Sequence, residues 1–267
     1  SALILIYFLS IPLFADAAIS REQYKSGSVK PGSNLSVNLT NPTLSGNTLI
    51  IGISSYYTGT NAGLPWTVSD NKGNIFKEAV SFSNGSLVKV FYAENIIGGS
   101  NHQITLNAST ASYLIMTAVE YSGLDLINLV EATSTTRATG INYTSGPVTV
   151  TSSNTLIFGV HHLFSNSVTA TPGSDWNTIE RKSDGTYHEH QVQDRILTSA
   201  GTFSSTGTWS SSIDTRSVAV VFKANASSTL DTESPSIPQN LSASSTVALE
   251  SNLLWDVSTD NVSVVGY

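Results

Sequence analysis

The stretch NTLIFGVHH, residues 154–162, repeats most of an earlier stretch, NTLIIGI, residues 47–53. Short apolar runs of this kind, rich in β-branched residues, are typical of buried β-strands. The later run ends in His161-His162, whereas the earlier run continues into Ser54-Ser55. The two runs predict a duplicated unit whose second copy carries histidine in place of serine.

Further matches follow both runs in the same order. Each run is followed by a tryptophan, Trp66 or Trp176, and then by a dipeptide typical of a two-residue type I′ hairpin turn. The dipeptides are Asn84-Gly85 and Asp184-Gly185, and the segments aligned without gaps after them are residues 86–97 and 186–197. An apolar strand then closes each copy. Residues 20–225 are therefore predicted to be a duplicated multistrand unit.

The alternating segments and turn residues predict an all-β fold. Each copy alone offers few strands for a large core, so we expect two antiparallel sheets packed face to face. The expected domain is one jelly-roll-like, internally duplicated β-sandwich over residues 18–225. Two small sandwiches in tandem are the alternative, because about a hundred residues suffice for an independent β-domain.

Composition excludes several classes of protein. Only 12% of the residues are charged, and the net charge of −7 leaves no basic surface for phosphate groups. Nucleic acid and an anionic membrane are therefore not expected partners. Cysteine is absent, which excludes disulfides, zinc–thiolate sites and thiol nucleophiles. We find no G-x-S-x-G, H-E-x-x-H or phosphate-binding glycine motif, and we assign no catalytic residue.

The N-terminal segment indicates export. Residues 2–14 are apolar but too few to span a bilayer, and Ala15-Asp16-Ala17 supplies the small residues of a cleavage site. We interpret residues 1–17 as a signal peptide truncated at its start, since neither Met nor a basic segment precedes the apolar run. An uncleaved membrane anchor is the alternative. We expect a secreted or extracellular protein, including one attached to the cell surface, without a membrane span.

A change of composition marks a second region. Residues 226–238 are polar and contain two prolines, which is typical of an interdomain linker. Residues 239–267 resemble the start of a fibronectin type III domain: a first strand near Leu241, a second ending in NLLWDVSTD (252–260) with Trp255 as the core tryptophan, and Tyr267 opening the third. Such a domain needs seven strands, so the resemblance implies a truncated domain.

The first domain also resembles a known kind of module. VSDNKGNIFKEA (68–79), VFYAENIIGGSNHQITL (90–106) and ILTSAGTFSSTGTWS (196–210) are similar to a β-sandwich module of large secreted bacterial surface proteins. That module occurs beside fibronectin type III repeats and carbohydrate-related domains. The resemblance implies fold and context; it transfers no catalytic set.

The two copies differ most at a histidine pair. In the gapless alignment, Val88 and Val90 correspond to His188 and His190, whose side chains share one face of a strand and lie about 7 Å apart. Such a spacing lets both rings reach one metal ion. His161 or His162 shares that face if the strands are neighbours, and we take His162, His188 and His190 as the candidate metal site, with hydrogen-bonded histidines as the alternative.

The same pair suggests a ligand-binding groove. His188 and His190 are candidate polar contacts, and Tyr187 and Trp176 are candidate stacking platforms for a sugar. Tryptophans of a sandwich are more often core residues, so Trp66 and Trp209 are weaker candidates. The segment DNKGN (70–74) carries oxygen ligands suited to Ca²⁺, although its spacing favours a simple turn.

These observations predict a non-catalytic, secreted or cell-surface binding and spacer module. The expected partners are a polysaccharide or other cell-surface polymer and further domains of the same chain. The alternative is the accessory N-terminal region of a secreted glycan-degrading enzyme, whose catalytic domain lies beyond Tyr267. No resident cofactor is expected apart from the divalent metal or Ca²⁺ candidates.

Overall fold

The computed structural model describes residues 18–56, 65–83, 87–165, 167–225, 236–237, 239–240, 242–247 and 250–256. The predicted signal peptide, the turn at Asn84-Gly85 and most of the predicted linker lie outside these residues. The chain divides into two compact units, and the boundary between them falls after residue 226.

The larger unit consists of strands and connecting loops. The first half contains β1 (Ser20–Asn38), β2 (Thr48–Tyr56), β3 (Trp66–Asp70), β4 (Lys77–Ser83), β5 (Leu87–Ala93) and β6 (Gln103–Ser122). The second half contains β7 (Val130–Thr144), β8 (Val148–Val150), β9 (Thr155–Leu163), β10 (Ala170–Pro172), β11 (Asn177–Ser183), β12 (Glu189–Leu197), β13 (Gly201–Phe203) and β14 (Thr206–Lys223). The part of the chain that the structure describes contains no helix suited in length and apolarity to crossing a bilayer.

Each half forms one six-stranded antiparallel sheet, and the strand order is the same in both. In the first sheet the order is β6-β2-β5-β4, with β1 and β3 both paired to β6. In the second sheet the order is β14-β9-β12-β11, with β7 and β10 both paired to β14. Strands β8 and β13 form a separate two-stranded sheet. The runs 47–53 and 154–162 thus contribute corresponding strands, β2 and β9.

The two sheets face each other across a shared core. This core combines apolar side chains of β2, β5 and β6 with those of β9, β12 and β14; it includes Ile50, Val90 and Val119 from the first sheet and Phe158 and Val220 from the second. All of these side chains are fully buried. The prediction of an all-β, two-sheet antiparallel sandwich is confirmed.

The longest strands bend and cover the outer face of their own sheet. A Cβ atom at Gly27 would lie 2.9 Å from Cγ1 of Val37, which is on the same strand. Residues ten apart on a straight strand are separated by about 33 Å, so β1 must fold back. Its register against β6 shifts twice between Val29 and Asn34, where the bend occurs. The bent arms enclose a second core in the first half, in which Trp66 and Leu106 pack with Ile51.

The bends give each half an outer layer over its own sheet. When the two arms of β1 and of β6 are counted separately, the first half has eight strand segments. The second half repeats the scheme with β7 and β14, and its outer face packs on two smaller apolar clusters. Each half therefore encloses a core of its own, as the tandem alternative requires, while the shared core joins both halves into one sandwich.

A pseudo-twofold axis relates the two sheets. β1 packs against β11, and the corresponding pair β7 and β4 packs in the same way. Gly52 of β2 lies against Val160 of β9: a Cβ atom on the glycine would be 2.9 Å from Cγ2 of the valine. Both residues face the shared core, and their partners on the neighbouring strands, Val90 and Val192, do so as well. Equivalent residues meet each other near a twofold axis, which is the relationship seen here.

This equivalence corrects the alignment made from the sequence letters. Leu49 points to the outer core, whereas Leu156, its letter match, points to the shared core. Ser54 follows Gly52 by two residues, as His162 follows Val160, so Ser54 and His162 correspond. Val88 pairs with Ser54 and His190 pairs with His162, so Val88 corresponds to His190 and not to His188. The letters mislead because both faces of β2 and β9 are apolar, so the pattern does not fix which face turns inward.

The smaller unit contains an antiparallel hairpin of β15 (Ser242–Val247) and β16 (Glu250–Leu254). Asn240 donates a hydrogen bond of 2.6 Å from its side chain to Asp256, beyond the end of β16.

Candidate ligand-binding site

The histidine-rich end of the sandwich lies where β9 and β12 run side by side. His162 and His190 are directly paired across the two strands, and His188 immediately precedes β12. The His162 and His188 rings are 5.0 Å apart, centroid to centroid. All three side chains are fully buried. The structure thus brings the three predicted metal ligands to one region between the sheets.

His190 is held by hydroxyl groups of the opposite sheet. Its Nδ1 lies 3.2 Å from Oγ of Ser54, and its Nε2 lies 2.8 Å from Oγ1 of Thr117. Burial, with smaller contributions from His188 and Lys182, lowers the pKa of His190 to about 3. The ring is therefore neutral at physiological pH, and both of its nitrogens are already engaged.

His188 is oriented by the loop that precedes it. The prediction of a two-residue turn at Asp184-Gly185 is wrong, because the loop between β11 and β12 spans residues 184–188. The Asp184 carboxylate accepts backbone N–H groups of Thr186 and Tyr187 at 2.7 and 2.9 Å. Its other oxygen lies 3.1 Å from Nδ1 of His188. Burial alone would raise the pKa of Asp184, but the hydrogen bonds from His188 and the two amides outweigh it and lower that pKa.

His162 has no hydrogen-bond partner at either ring nitrogen, and Nε2 of His188 is unpartnered as well. Burial lowers the pKa of His162 well below its ordinary value, and the positive charge of nearby Arg216 adds to the effect. Across the described ranges, no group of three or more His, Cys, Asp or Glu side chains is arranged to hold a metal ion. Of the predicted three-histidine set, only His162 and His188 retain free nitrogens.

An aromatic patch covers the buried histidines. Tyr56, Tyr113 and Tyr187 lie with ring centroids 4.8 to 6.1 Å apart, and Phe164 packs edge-on against Tyr56 at 5.2 Å. We call these four residues the tyrosine patch. Tyr187 is 46% exposed, whereas the other three are partly buried.

The patch contacts the histidines directly beneath it. The ring centroid of Tyr56 is 6.4 Å from that of His188, and Phe164 is 4.9 Å from His162. The sequence analysis identified Tyr187 but missed Tyr56, Tyr113 and Phe164. A usable signal was present: Tyr56 and Phe164 are aromatic residues at or just past the ends of the corresponding strands β2 and β9.

Trp176 does not belong to this site. It lies in an outer cluster of the second half, with Val150, Ile157 and Leu197, and it is almost completely buried. Trp66 and Trp209 occupy other outer clusters and are buried too. These three tryptophans contribute apolar area to the cores of the larger unit.

His161, the alternative to His162, points to the opposite face of β9. Its Nδ1 lies 2.8 Å from Oγ of Ser217 and its Nε2 lies 2.9 Å from Oγ of Ser205. Burial lowers its pKa to about 3. Both nitrogens are satisfied, so His161 is part of a neutral polar network in the outer core of the second half.

The candidate calcium segment, residues 70–74, forms a closed turn. Oδ1 of Asp70 accepts the backbone N–H groups of Lys72 and Asn74, both at 3.0 Å. Oδ2 accepts the Asn74 side-chain amide at 2.7 Å and Nε2 of His102 at 2.8 Å. Two carboxylate oxygens offer about four lone-pair positions, and four donors occupy them here. Asp70 therefore has no lone pair left for a cation in this conformation.

A cavity of about 230 Å³ lies at the other end of β12, beside Ile196 and Thr198. Asn154 and Asn225 contribute further polar groups, and none of the residues that line it is titratable. The cavity is thus separated from the histidines by the length of the strand.

Comparison with known proteins gave no match: no family model, curated protein or solved structure corresponds to this chain.

Proposed function

We propose that the protein is a non-catalytic binding and spacer module whose ligand is a polysaccharide or another surface glycan. The observation that carries the proposal is the tyrosine patch, a group of four aromatic side chains clustered at one end of the sandwich with Tyr187 exposed. Exposed aromatic rings offer sugars an apolar face, and tyrosine adds a hydroxyl group for hydrogen bonding.

The rigidity of the patch supports this role. Tyr56 and Tyr113 are directly paired on the neighbouring strands β2 and β6, so the sheet fixes their positions. Tyr187 lies on the loop that the Asp184 carboxylate stabilises through its hydrogen bonds to backbone amides. A preformed platform binds with a smaller loss of conformational entropy than a mobile one.

The chemistry beneath the patch favours binding over reaction. Apart from the tyrosine hydroxyl groups themselves, the neighbouring titratable groups, His162, His188 and Asp184, are buried below the rings and not on the surface that a sugar would touch. A general acid or base must come within hydrogen-bond distance of the reacting atom. Export and surface attachment belong to the same proposal; they are supported by the apolar segment 2–14 and by the fibronectin-like sequence after the linker.

A glycan array probed with the chain tests the proposal. We expect binding to a subset of glycans, and Tyr187→Ala should weaken it by about 0.5–1.5 kcal/mol, or up to about tenfold. Tyr24→Ala is the matched control, because Tyr24 is 44% exposed on β1 and is not part of the patch. Absence of binding to every glycan, or equal losses in the two variants, would contradict the proposal.

A further inference from the structure

Three imidazole nitrogens are left without partners inside the sandwich. They are Nδ1 and Nε2 of His162 and Nε2 of His188, and both side chains are fully buried. A buried polar atom without a partner costs about 1–3 kcal/mol. The other three histidines of the chain, His102, His161 and His190, engage both ring nitrogens. Among the histidines, only this pair therefore has ring nitrogens without a hydrogen-bond partner.

Asp184 holds His188 in the orientation of a metal ligand. In the neutral tautomer that donates Nδ1–H to this carboxylate, Nε2 carries the free lone pair. Metal-binding histidines commonly donate their second N–H to a carboxylate, which fixes the tautomer and raises the basicity of the ligating nitrogen. Here Asp184 is the carboxylate that accepts the N–H of the histidine, and three backbone N–H groups donate hydrogen bonds to it as well.

We propose that His162 and His188 form a two-nitrogen site for a monovalent d¹⁰ cation, Cu⁺. The site lies between the sheets and below the tyrosine patch. It does not depend on glycan binding.

The distance between the rings suits a shared ion. With a metal–nitrogen bond of about 2.0 Å, a ring centroid lies about 3 Å from the ion, so two rings that share it have centroids up to about 6 Å apart. The observed separation is 5.0 Å, with an angle of 52° between the ring planes. Two-coordinate Cu⁺ prefers a linear N–Cu–N arrangement, so binding requires the two rings to move about 1 Å farther apart.

Coordination number and charge select a monovalent ion. Zn²⁺ takes four ligands in structural sites, and no group of three donors of the usual kind is found among the described residues. One positive charge on the ion is balanced by the carboxylate of Asp184, whereas a divalent ion leaves a net positive charge in a buried site. Arg216 is paired with Asp214 at 3.0 Å.

The test is a titration of the full chain with Cu⁺ under anaerobic conditions, in competition with bicinchoninate. We expect one equivalent to bind, and no detectable binding in His162→Phe or His188→Leu. Asp184→Asn should weaken binding by about 10–100-fold while the stoichiometry stays at one, since it removes only the group that positions His188. His161→Gln is the control: it removes the neighbouring buried histidine and should leave Cu⁺ affinity unchanged.

A second measurement avoids reliance on variants that fail to fold. Ag⁺, a redox-inert d¹⁰ ion, is added to the wild-type chain with ¹⁵N-labelled histidine, and the imidazole nitrogens are followed by NMR. We expect the resonances of His162 and His188 to shift and those of His102 and His161 to stay. Unchanged resonances, as expected if a buried water alone satisfies the two rings, would overturn the proposal. So would Cu⁺ binding that survives in both His162→Phe and His188→Leu.

Discussion

Tyr121, on β6 of the first sheet, donates a 2.7 Å hydrogen bond to the carboxylate of Asp194, on β12 of the second sheet. Arg21 of β1 approaches the same oxygen at 3.0 Å. Burial raises the pKa of Tyr121 well above its ordinary value, so the phenol keeps its proton. The contact joins the two sheets through a charged group that is almost completely buried.

Tyr121→Phe should destabilise the protein by about 1–3 kcal/mol, because it removes one of the donors that compensate the buried Asp194 carboxylate. Urea unfolding measures the change. In a cycle with Asp194→Asn, we expect a coupling energy of about 0.5–3 kcal/mol. Tyr24→Phe, at a tyrosine that is 44% exposed on β1, should stay within about 0.5 kcal/mol of wild type. Purely additive effects of Tyr121→Phe and Asp194→Asn would show that the contact contributes nothing.

Stability should fall as the pH drops below the ordinary range of histidine. His161 and His190 have pKa values of about 3 in the folded state because they are buried, against about 6.5 in the unfolded chain. Between these two pKa values only the unfolded state takes up protons at the two histidines. Their contribution to the free energy of unfolding is therefore complete above pH about 6.5 and is lost as the pH decreases. The loss approaches about 1.4 kcal/mol per pH unit for each histidine.

The measurement is the urea midpoint between pH 7.5 and 5.5. His161→Gln should reduce the slope, since it removes one of the groups that titrate only on unfolding. A urea midpoint that stays constant over this interval would contradict the prediction, because it would mean that these histidines take up protons in the folded state as readily as in the unfolded state.

Gly98→Ala should be more destabilising than Gly52→Ala. A Cβ atom at Gly98 would clash with the carbonyl oxygen of Thr43 and would lie 2.6 Å from the backbone nitrogen of Ser45, and a backbone cannot move aside as a side chain can. At Gly52 the nearest atom is a methyl group of Val160, at 2.9 Å. Overpacking of this kind costs about 1–3 kcal/mol.

Urea unfolding ranks these two glycine variants, and hydrogen exchange at the Gly99 amide, which bonds to Thr43 at 2.8 Å, reports the local change. The reverse order of stabilities would show that the space between the sheets is less adaptable than the loop.

Calcium should leave the thermal midpoint unchanged, because both oxygens of Asp70 already accept hydrogen bonds from four donors. Asp70→Ala should lower the free energy of unfolding by about 1–3 kcal/mol, since it leaves the backbone N–H groups of Lys72 and Asn74 without their acceptor. Differential scanning calorimetry with Ca²⁺ and with EGTA checks the first expectation. An increase in midpoint that Ca²⁺ produces in wild type and not in Asp70→Ala would contradict it.

Sequence patterns predicted the fold class because strand alternation, turn residues and a repeated order of features all point to antiparallel sheets. They did not predict which face of β2 or β9 turns inward. Ile50 and Ile51 are equally apolar, and each is buried in a different core. The bend in β1 was missed as well, since it depends on the contact of Gly27 with Val37, which no local pattern encodes.

The candidate site was predicted in part. Periodicity placed His188 and His190 on one face of a strand, but it could not reveal that Ser54 and Thr117 of the other sheet occupy the His190 nitrogens. Trp176 looked like a stacking platform only because its burial depends on residues distant in sequence, such as Val150 and Leu197.

The close approach of Gly52 to Val160 has an evolutionary consequence. A single ancestral copy would have presented this same surface to a second molecule, and an isologous homodimer buries the interface that the fused chain buries now. Gene fusion removes the requirement that both sides stay identical. The two sides now differ: one carries His162 and His190, and the other carries Ser54 and Val88 at the matching positions.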